Sequence, residues 1–165
     1  MTQHEIRAYD YVNQPYEVVR GALTKDAARV FQRATRLAEA RSGELVAALS
    51  VDLRGLELSA DIALTVGEVS EEQRGSAQLS RVLRVPLSWQ AAKSPGLFPV
   101  MRADFLVYPL SSSETQVELH GSYQPPFGAL GGVLDALAGH RLAEASVHRF
   151  VRAVVERLRS ELAAA

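Results

Sequence analysis

The chain has 165 residues, 22% of them charged, a formal net charge of −1 and no cysteine. Its length is typical of a single domain, predicted here over 1–165, and its near-zero charge supplies no basic field for a nucleic acid. The lack of cysteine excludes disulfides, thiolate metal sites and cysteine nucleophiles.

The N-terminus lacks the pattern of a signal peptide, and no apolar run approaches the roughly 20 residues of a membrane span. We therefore expect a cytoplasmic protein with no integral membrane segment. We also expect no nucleic-acid partner and no cofactor, and the sequence does not determine the oligomeric state.

The first part of the chain changes from a strand pattern to helix patterns. Residues His4–Val12 alternate, which predicts a strand. Asn13-Gln14-Pro15 is typical of a helix start with proline just inside it. A second helix is predicted from Thr24 to near Gly43, because apolar residues recur there with helical spacing.

Beyond Gly43 the apolar period becomes 2 and stays so for about eighty residues, which predicts an antiparallel meander of about five strands. The polar stretch from Glu68 to Gly75 is interpreted as a connection between two of them. The last strand is predicted to end at Pro125-Pro126, and a glycine-punctuated loop then leads into one long terminal helix.

An antiparallel sheet with one apolar face must cover that face, and only the terminal helix is long enough to do so. The order of elements resembles the helix-grip fold of the START-like, or SRPBCC, superfamily over nearly the whole chain. The segments that carry this resemblance are Tyr11-Val-Asn-Gln-Pro-Tyr-Glu-Val-Val, where the first strand enters the first helix, and Gly121-Ser-Tyr-Gln-Pro-Pro-Phe-Gly, which precedes the terminal helix.

The resemblance implies an α+β fold in which a curved antiparallel sheet wraps around the long C-terminal helix, with two short helices after the first strand. Members of the superfamily share a hydrophobic cavity between sheet and helix, and some branches are enzymes. They include polyketide cyclases and dehydrases, coenzyme Q-binding proteins and lipid carriers.

The terminal helix carries ionisable residues on its predicted buried face. At 100° per residue, His140 and Glu144 fall inside an apolar arc of roughly 100°, and Arg141 and His148 lie at its edge. The apolar members of the arc are Val133, Leu137, Val147, Val151, Val154, Val155, Leu158 and Leu162. Because buried ionisable groups require partners, this face is the sharpest anomaly in the sequence.

Three interpretations of His140 and Glu144 compete. They could form a hydrogen-bonding or acid–base pair for a ligand. Alternatively, Glu144 could pair with an arginine (Arg81, Arg84, Arg102 or Arg141) while His140 caps the helix after Gly139. A single metal ion bound by His140, Glu144 and His148 fails on geometry, because the outer two lie about 12 Å apart along the axis, so no metal site is predicted.

The candidate ligand contacts are mainly aromatic, and a plain hydrophobic core is the alternative explanation for them. Trp89 is the preferred ligand contact, because it ends a strand before the loop from Ala91 to Pro99, which could gate the cavity. The complete predicted set is Phe31, Trp89, Phe105, Tyr123, Phe127, Leu137, His140 and Glu144.

The function predicted from these features is binding of a small or medium hydrophobic ligand, such as a lipid, an isoprenoid or a polyketide-like molecule. The first alternative is a cyclase- or dehydratase-like enzyme in which His140 or Glu144 transfers a proton. The second alternative is an accessory interaction protein with no ligand. Signatures of a serine hydrolase or a phosphate-binding glycine loop do not occur.

Overall fold

The computed structural model describes residues 3–34, 40–41, 44–53, 56–74, 81–91, 100–124 and 136–164. Within these ranges it describes the backbone alone at 32, 40–62, 91, 136–139, 142 and 146. Its elements are β1 (His4–Val12), α1 (Tyr16–Ala34), β2 (Ala40–Arg41), β3 (Glu44–Leu53), β4 (Leu56–Val66), β5 (Ser70–Gln73), β6 (Arg81–Ala91), β7 (Val100–Pro109), β8 (Thr115–Gln124) and α2 (Ala136–Ala163).

The strands form one antiparallel sheet in the order β1-β8-β7-β6-β4-β3-β2, and β5 pairs separately with β6. Helix α2 contacts β1 at one edge of the sheet, β8 beside it and β3 near the opposite edge. A helix can contact strands near both edges of such a sheet only if the sheet curves around the helix. The predicted helix-grip architecture is therefore confirmed, and neither described helix carries a stretch apolar and long enough to cross a bilayer.

Helix α1 is interrupted at Asp26, whose backbone is extended (φ −166°, ψ 79°). The carboxylate of Asp26 accepts a hydrogen bond of 2.9 Å from the backbone N–H of Arg29, as an N-cap residue does. The two predicted short helices thus correspond to the two segments of α1, and the break lies in the predicted start Thr24-Lys25-Asp26.

The predicted end of the second helix near Gly43 is wrong. Backbone pairing of β2 with β3 matches Ala40 with Leu45 and Arg41 with Glu44. The helix therefore ends before Ala40. The apolar spacing predicted a helix that was too long, because such spacing does not reveal a strand of two residues.

Strand β5 lies inside the stretch from Glu68 to Gly75 that the sequence analysis interpreted as a connection. All four of its residues are exposed, so it has no apolar alternation from which it could be recognised. Its Glu71 pairs with Arg20 of α1 and with Arg81 of β6, the latter at 2.8 Å. The side-chain contacts of this strand are therefore ion pairs and not buried apolar contacts.

Pro86 lies in the middle of β6 and cannot donate a backbone hydrogen bond. The Gly67 N–H donates to the Pro86 carbonyl at 2.7 Å. The backbone N–H and C=O positions of Pro86 therefore face residues 67–69, which lie between β4 and β5. Because the N–H and C=O of a strand residue point to the same neighbour, the missing donor coincides with a break in the adjacent ladder.

The space between sheet and helix is filled at its centre by aromatic rings. Phe150 of α2 packs against Phe31, Trp89 and Phe105, with ring centroids 5.7, 5.5 and 6.5 Å away. Phe31 and Phe105 also meet edge to face at 5.1 Å. All four side chains are buried, and we call them the aromatic cluster.

The opposite face of β8 carries a buried carboxylate, Glu118. Its two oxygens accept hydrogen bonds from the Arg7 guanidinium and the Tyr108 hydroxyl, and Gln116 donates to that hydroxyl at 2.7 Å. Burial acts to raise the pKa of Glu118, but the hydrogen bonds from Arg7 and Tyr108 outweigh it and lower the pKa below its ordinary value.

The lowered pKa of Glu118 predicts a contribution to acid sensitivity. A carboxyl group with a depressed folded-state pKa stabilises the fold above its unfolded pKa, and this stability is lost as the pH falls through the folded pKa. We expect Glu118→Gln to be less stable than the wild type at pH 7 and the difference to shrink between pH 5 and pH 3. Melting temperatures across this range test it, with exposed Glu5→Gln as the control; a difference independent of pH would contradict it.

Candidate functional site

The strand register brings five residues into one row across the inner face of the sheet. His4 pairs with Tyr123, Tyr123 with Met101, Met101 with Trp89, and Trp89 with Leu64. We call these five residues the rim row. Trp89 and Tyr123 lie close to the ends of β6 and β8 at Ala91 and Gln124, so the row borders that end of the sheet.

Helix α2 adds polar groups at this end. The Tyr123 hydroxyl is hydrogen-bonded to Nδ1 of His140, in the second turn of the helix. Nε2 of the same imidazole lies 3.1 Å from Oε1 of Glu144, one turn further on. The three side chains form a continuous series of polar contacts, which we call the Tyr–His–Glu chain.

The aromatic rings at this end also stack. The His4 ring lies 5.3 Å from the Tyr123 ring at an interplanar angle of 26°, and the His140 ring lies 5.9 Å from the same tyrosine at 28°. His4 was not among the site residues predicted from the sequence. The signal that could have found it was parity, since His4 shares the alternation of the inward-facing Ile6 and Ala8.

Exposure decreases along the Tyr–His–Glu chain toward the interior. The side chain of Glu144 is 50% exposed and that of His140 42%, whereas Tyr123 is buried. Burial, followed by the negative charge of Glu144, raises the pKa of Tyr123. The phenol therefore stays protonated.

The prediction that ionisable groups of the terminal helix are buried against the sheet is wrong for Arg141, Glu144 and His148, which are all exposed. The buried face of α2 includes Ala143 and Phe150, which extend it away from these three residues. His140, on the predicted face, is half-buried.

The interpretation that an arginine neutralises Glu144 is not supported at two of its named partners. Arg81 pairs with Glu17 and Glu71, and Arg84 pairs with Asp104 at 2.9 Å. Within the described residues, the charged or ionisable partner that Glu144 contacts is the imidazole of His140. In the same part of the chain, no group of three His, Asp or Glu side chains is arranged to hold a metal ion.

The predicted aromatic contacts divide into two groups. Phe31, Phe105 and Trp89 belong to the aromatic cluster, which agrees with the alternative explanation that they form a hydrophobic core. Trp89 also belongs to the rim row. Tyr123 lies at the rim and joins the Tyr–His–Glu chain. Phe127 and the side chain of Leu137 lie outside the described residues.

A depression of about 740 Å³ lies on the outer face of the sheet, lined among others by Arg84, Arg102, Asp104 and His120. These residues alternate with the inward-facing ones, so the depression is separated from α2 by the thickness of the sheet. It is not the predicted cavity between sheet and helix.

Similar solved structures support the fold. A protein from Thermus thermophilus is 17% identical, with coverage of 98% of this chain and 99% of that chain and a TM-score of 0.54. The Zhui aromatase/cyclase from a Streptomyces species is 16% identical, with coverage of 97% and 93% and a TM-score of 0.50. Ara h 8.0201 is 8% identical, with coverage of 96% and 99% and a TM-score of 0.51.

No protein-family model matches the chain, and no curated protein matches it by sequence. At these identities the structural matches establish the fold alone. The resemblance to the START-like superfamily therefore holds for the architecture, and the function must be argued from the site.

Proposed function

We propose that the protein binds a small or medium hydrophobic molecule between the sheet and α2, with the polar end of that molecule at the Tyr–His–Glu chain. The observation that carries the proposal is this row of three contacting polar side chains at the rim of a space that apolar residues otherwise line. Binding sites for small molecules typically combine apolar walls with a few polar groups that fix orientation.

The rest of the rim row supports this placement. Met101, Trp89 and Leu64 are apolar and buried, and they continue the row from Tyr123 across the sheet. A hydrophobic ligand lying along this row would contact them while its polar end met Tyr123. His140 is half-exposed, so a ligand would enter from its side.

A second candidate function is proton transfer, as in a cyclase- or dehydratase-like enzyme, and the Tyr–His–Glu chain is the specific observation that favours it. Tyr123 could take a proton from a substrate while its own proton passes to Nδ1 of His140, and Glu144 would stabilise the imidazolium. The structurally similar Streptomyces protein is described as an aromatase/cyclase. Binding and proton transfer differ in whether the bound molecule is recovered unchanged.

The test is native mass spectrometry of the protein as purified, followed by extraction and identification of the bound molecule. We expect a stoichiometric hydrophobic adduct that Tyr123→Phe weakens and that Tyr9→Phe, at an exposed tyrosine of the outer face, retains. Turnover of the recovered compound on re-incubation would favour the enzyme. A clean apo mass, with no thermal shift across lipids, quinones and polyketides, would contradict the proposal and favour the accessory protein.

A further inference from the structure

The Tyr–His–Glu chain has a direction, which follows from its outer end. An ionised carboxylate only accepts hydrogen bonds, so Glu144 requires a proton on Nε2 of His140. Where the imidazole is neutral, this proton on Nε2 leaves a lone pair on Nδ1. The partner of that lone pair, the Tyr123 hydroxyl, must then be the donor.

This direction leaves the Tyr123 oxygen with accepting capacity only, because its proton is directed at His140. From this polarity we infer that the ligand's polar end is a hydrogen-bond donor, namely a phenol, enol or alcohol hydroxyl, bound by the Tyr123 oxygen. The inference rests on the proposed function and adds the chemical class of the ligand to it.

Ligands without a donor fit this arrangement less well. An ether or ketone oxygen would face the lone pairs of Tyr123 without a proton between them. A carboxylate would in addition approach the charge of Glu144. His4 stacks on the face of the Tyr123 ring, so it does not compete for the hydroxyl. The site therefore discriminates by hydrogen-bond polarity.

The inference is tested with a matched pair of probes, 4-hexylphenol and 4-hexylanisole, which differ in whether the oxygen carries a proton. Their Kd values are measured by calorimetry at pH 8 for the wild type and for Tyr123→Phe. We expect the preference for the phenol to be about tenfold larger in the wild type, as one hydrogen bond provides. Tyr9→Phe, the control, should retain the wild-type preference.

The histidine tautomer gives an independent readout. Nitrogen-15 NMR of the His140 ring at pH 8 should show the proton on Nε2, and a proton on Nδ1 would overturn the inference. Equal phenol preference in the wild type and Tyr123→Phe would also overturn it, while leaving the proposed function intact. Failure of both probes to bind would contradict the proposed function, and the inferred ligand class with it.

Discussion

Replacing Gly121 with alanine is expected to lower the free energy of unfolding by about 3 kcal/mol, because the new methyl group has no space. A Cβ at this position would lie 2.4 Å from both the Ala103 Cβ and the Arg102 carbonyl oxygen, and 2.7 Å from the Ala103 Cα. These are backbone and near-backbone atoms of the adjacent strand, which cannot rotate away. In a chain of this size, the loss corresponds to a melting temperature lower by about 6–12 °C.

Gly21 provides the matched control for Gly121. It lies in α1, and an added Cβ there would meet nothing within 4 Å. Gly21→Ala is therefore expected to raise stability by roughly 0.5–1 kcal/mol, since alanine has the higher helix propensity. If both variants melted at the wild-type temperature, the close approach of β8 to β7 at Gly121 would be wrong.

The sequence predicted the strands and their faces well wherever burial alternates. Ile6 and Ala8 of β1, and Phe105 and Val107 of β7, are buried, in agreement with the alternation of apolar residues in the sequence. Such a pattern is local, because each strand residue faces opposite its neighbour. β5 was not predicted as a strand, because all of its residues are exposed and its pairing with β6 cannot be read from the local sequence.

The candidate site was predicted residue by residue but not as an arrangement. Tyr123, His140 and Glu144 were each proposed as ligand contacts, yet the contact between Tyr123 and His140 depends on where α2 crosses the sheet. A helical wheel specifies direction around the axis and not position along the sheet. For this reason it placed Glu144 on a buried face and could not bring His4 into the site.

The helical wheel also omitted Phe150, which the structure places at the centre of the aromatic cluster. Phe150→Ala is expected to cost about 3–5 kcal/mol, the usual range for removing a buried aromatic side chain. Its ring contacts Phe31, Trp89 and Phe105, so the truncation removes partners from all three. Chemical denaturation measures the loss, and Trp89, the chain's only tryptophan, reports the changed environment through its fluorescence.

Two control variants separate a loss of packing from a general loss of hydrophobic surface. Phe150→Leu retains most of the buried volume and should cost less than Phe150→Ala, whereas Leu110→Ala, at a side chain 42% exposed, should change stability by no more than about 0.5 kcal/mol. A small effect of Phe150→Ala would mean that the four rings border open space and do not form a packed core. The original prediction that Phe31, Trp89 and Phe105 contact the ligand would then be favoured. The binding site would extend from the rim row to the centre of the space between the sheet and α2.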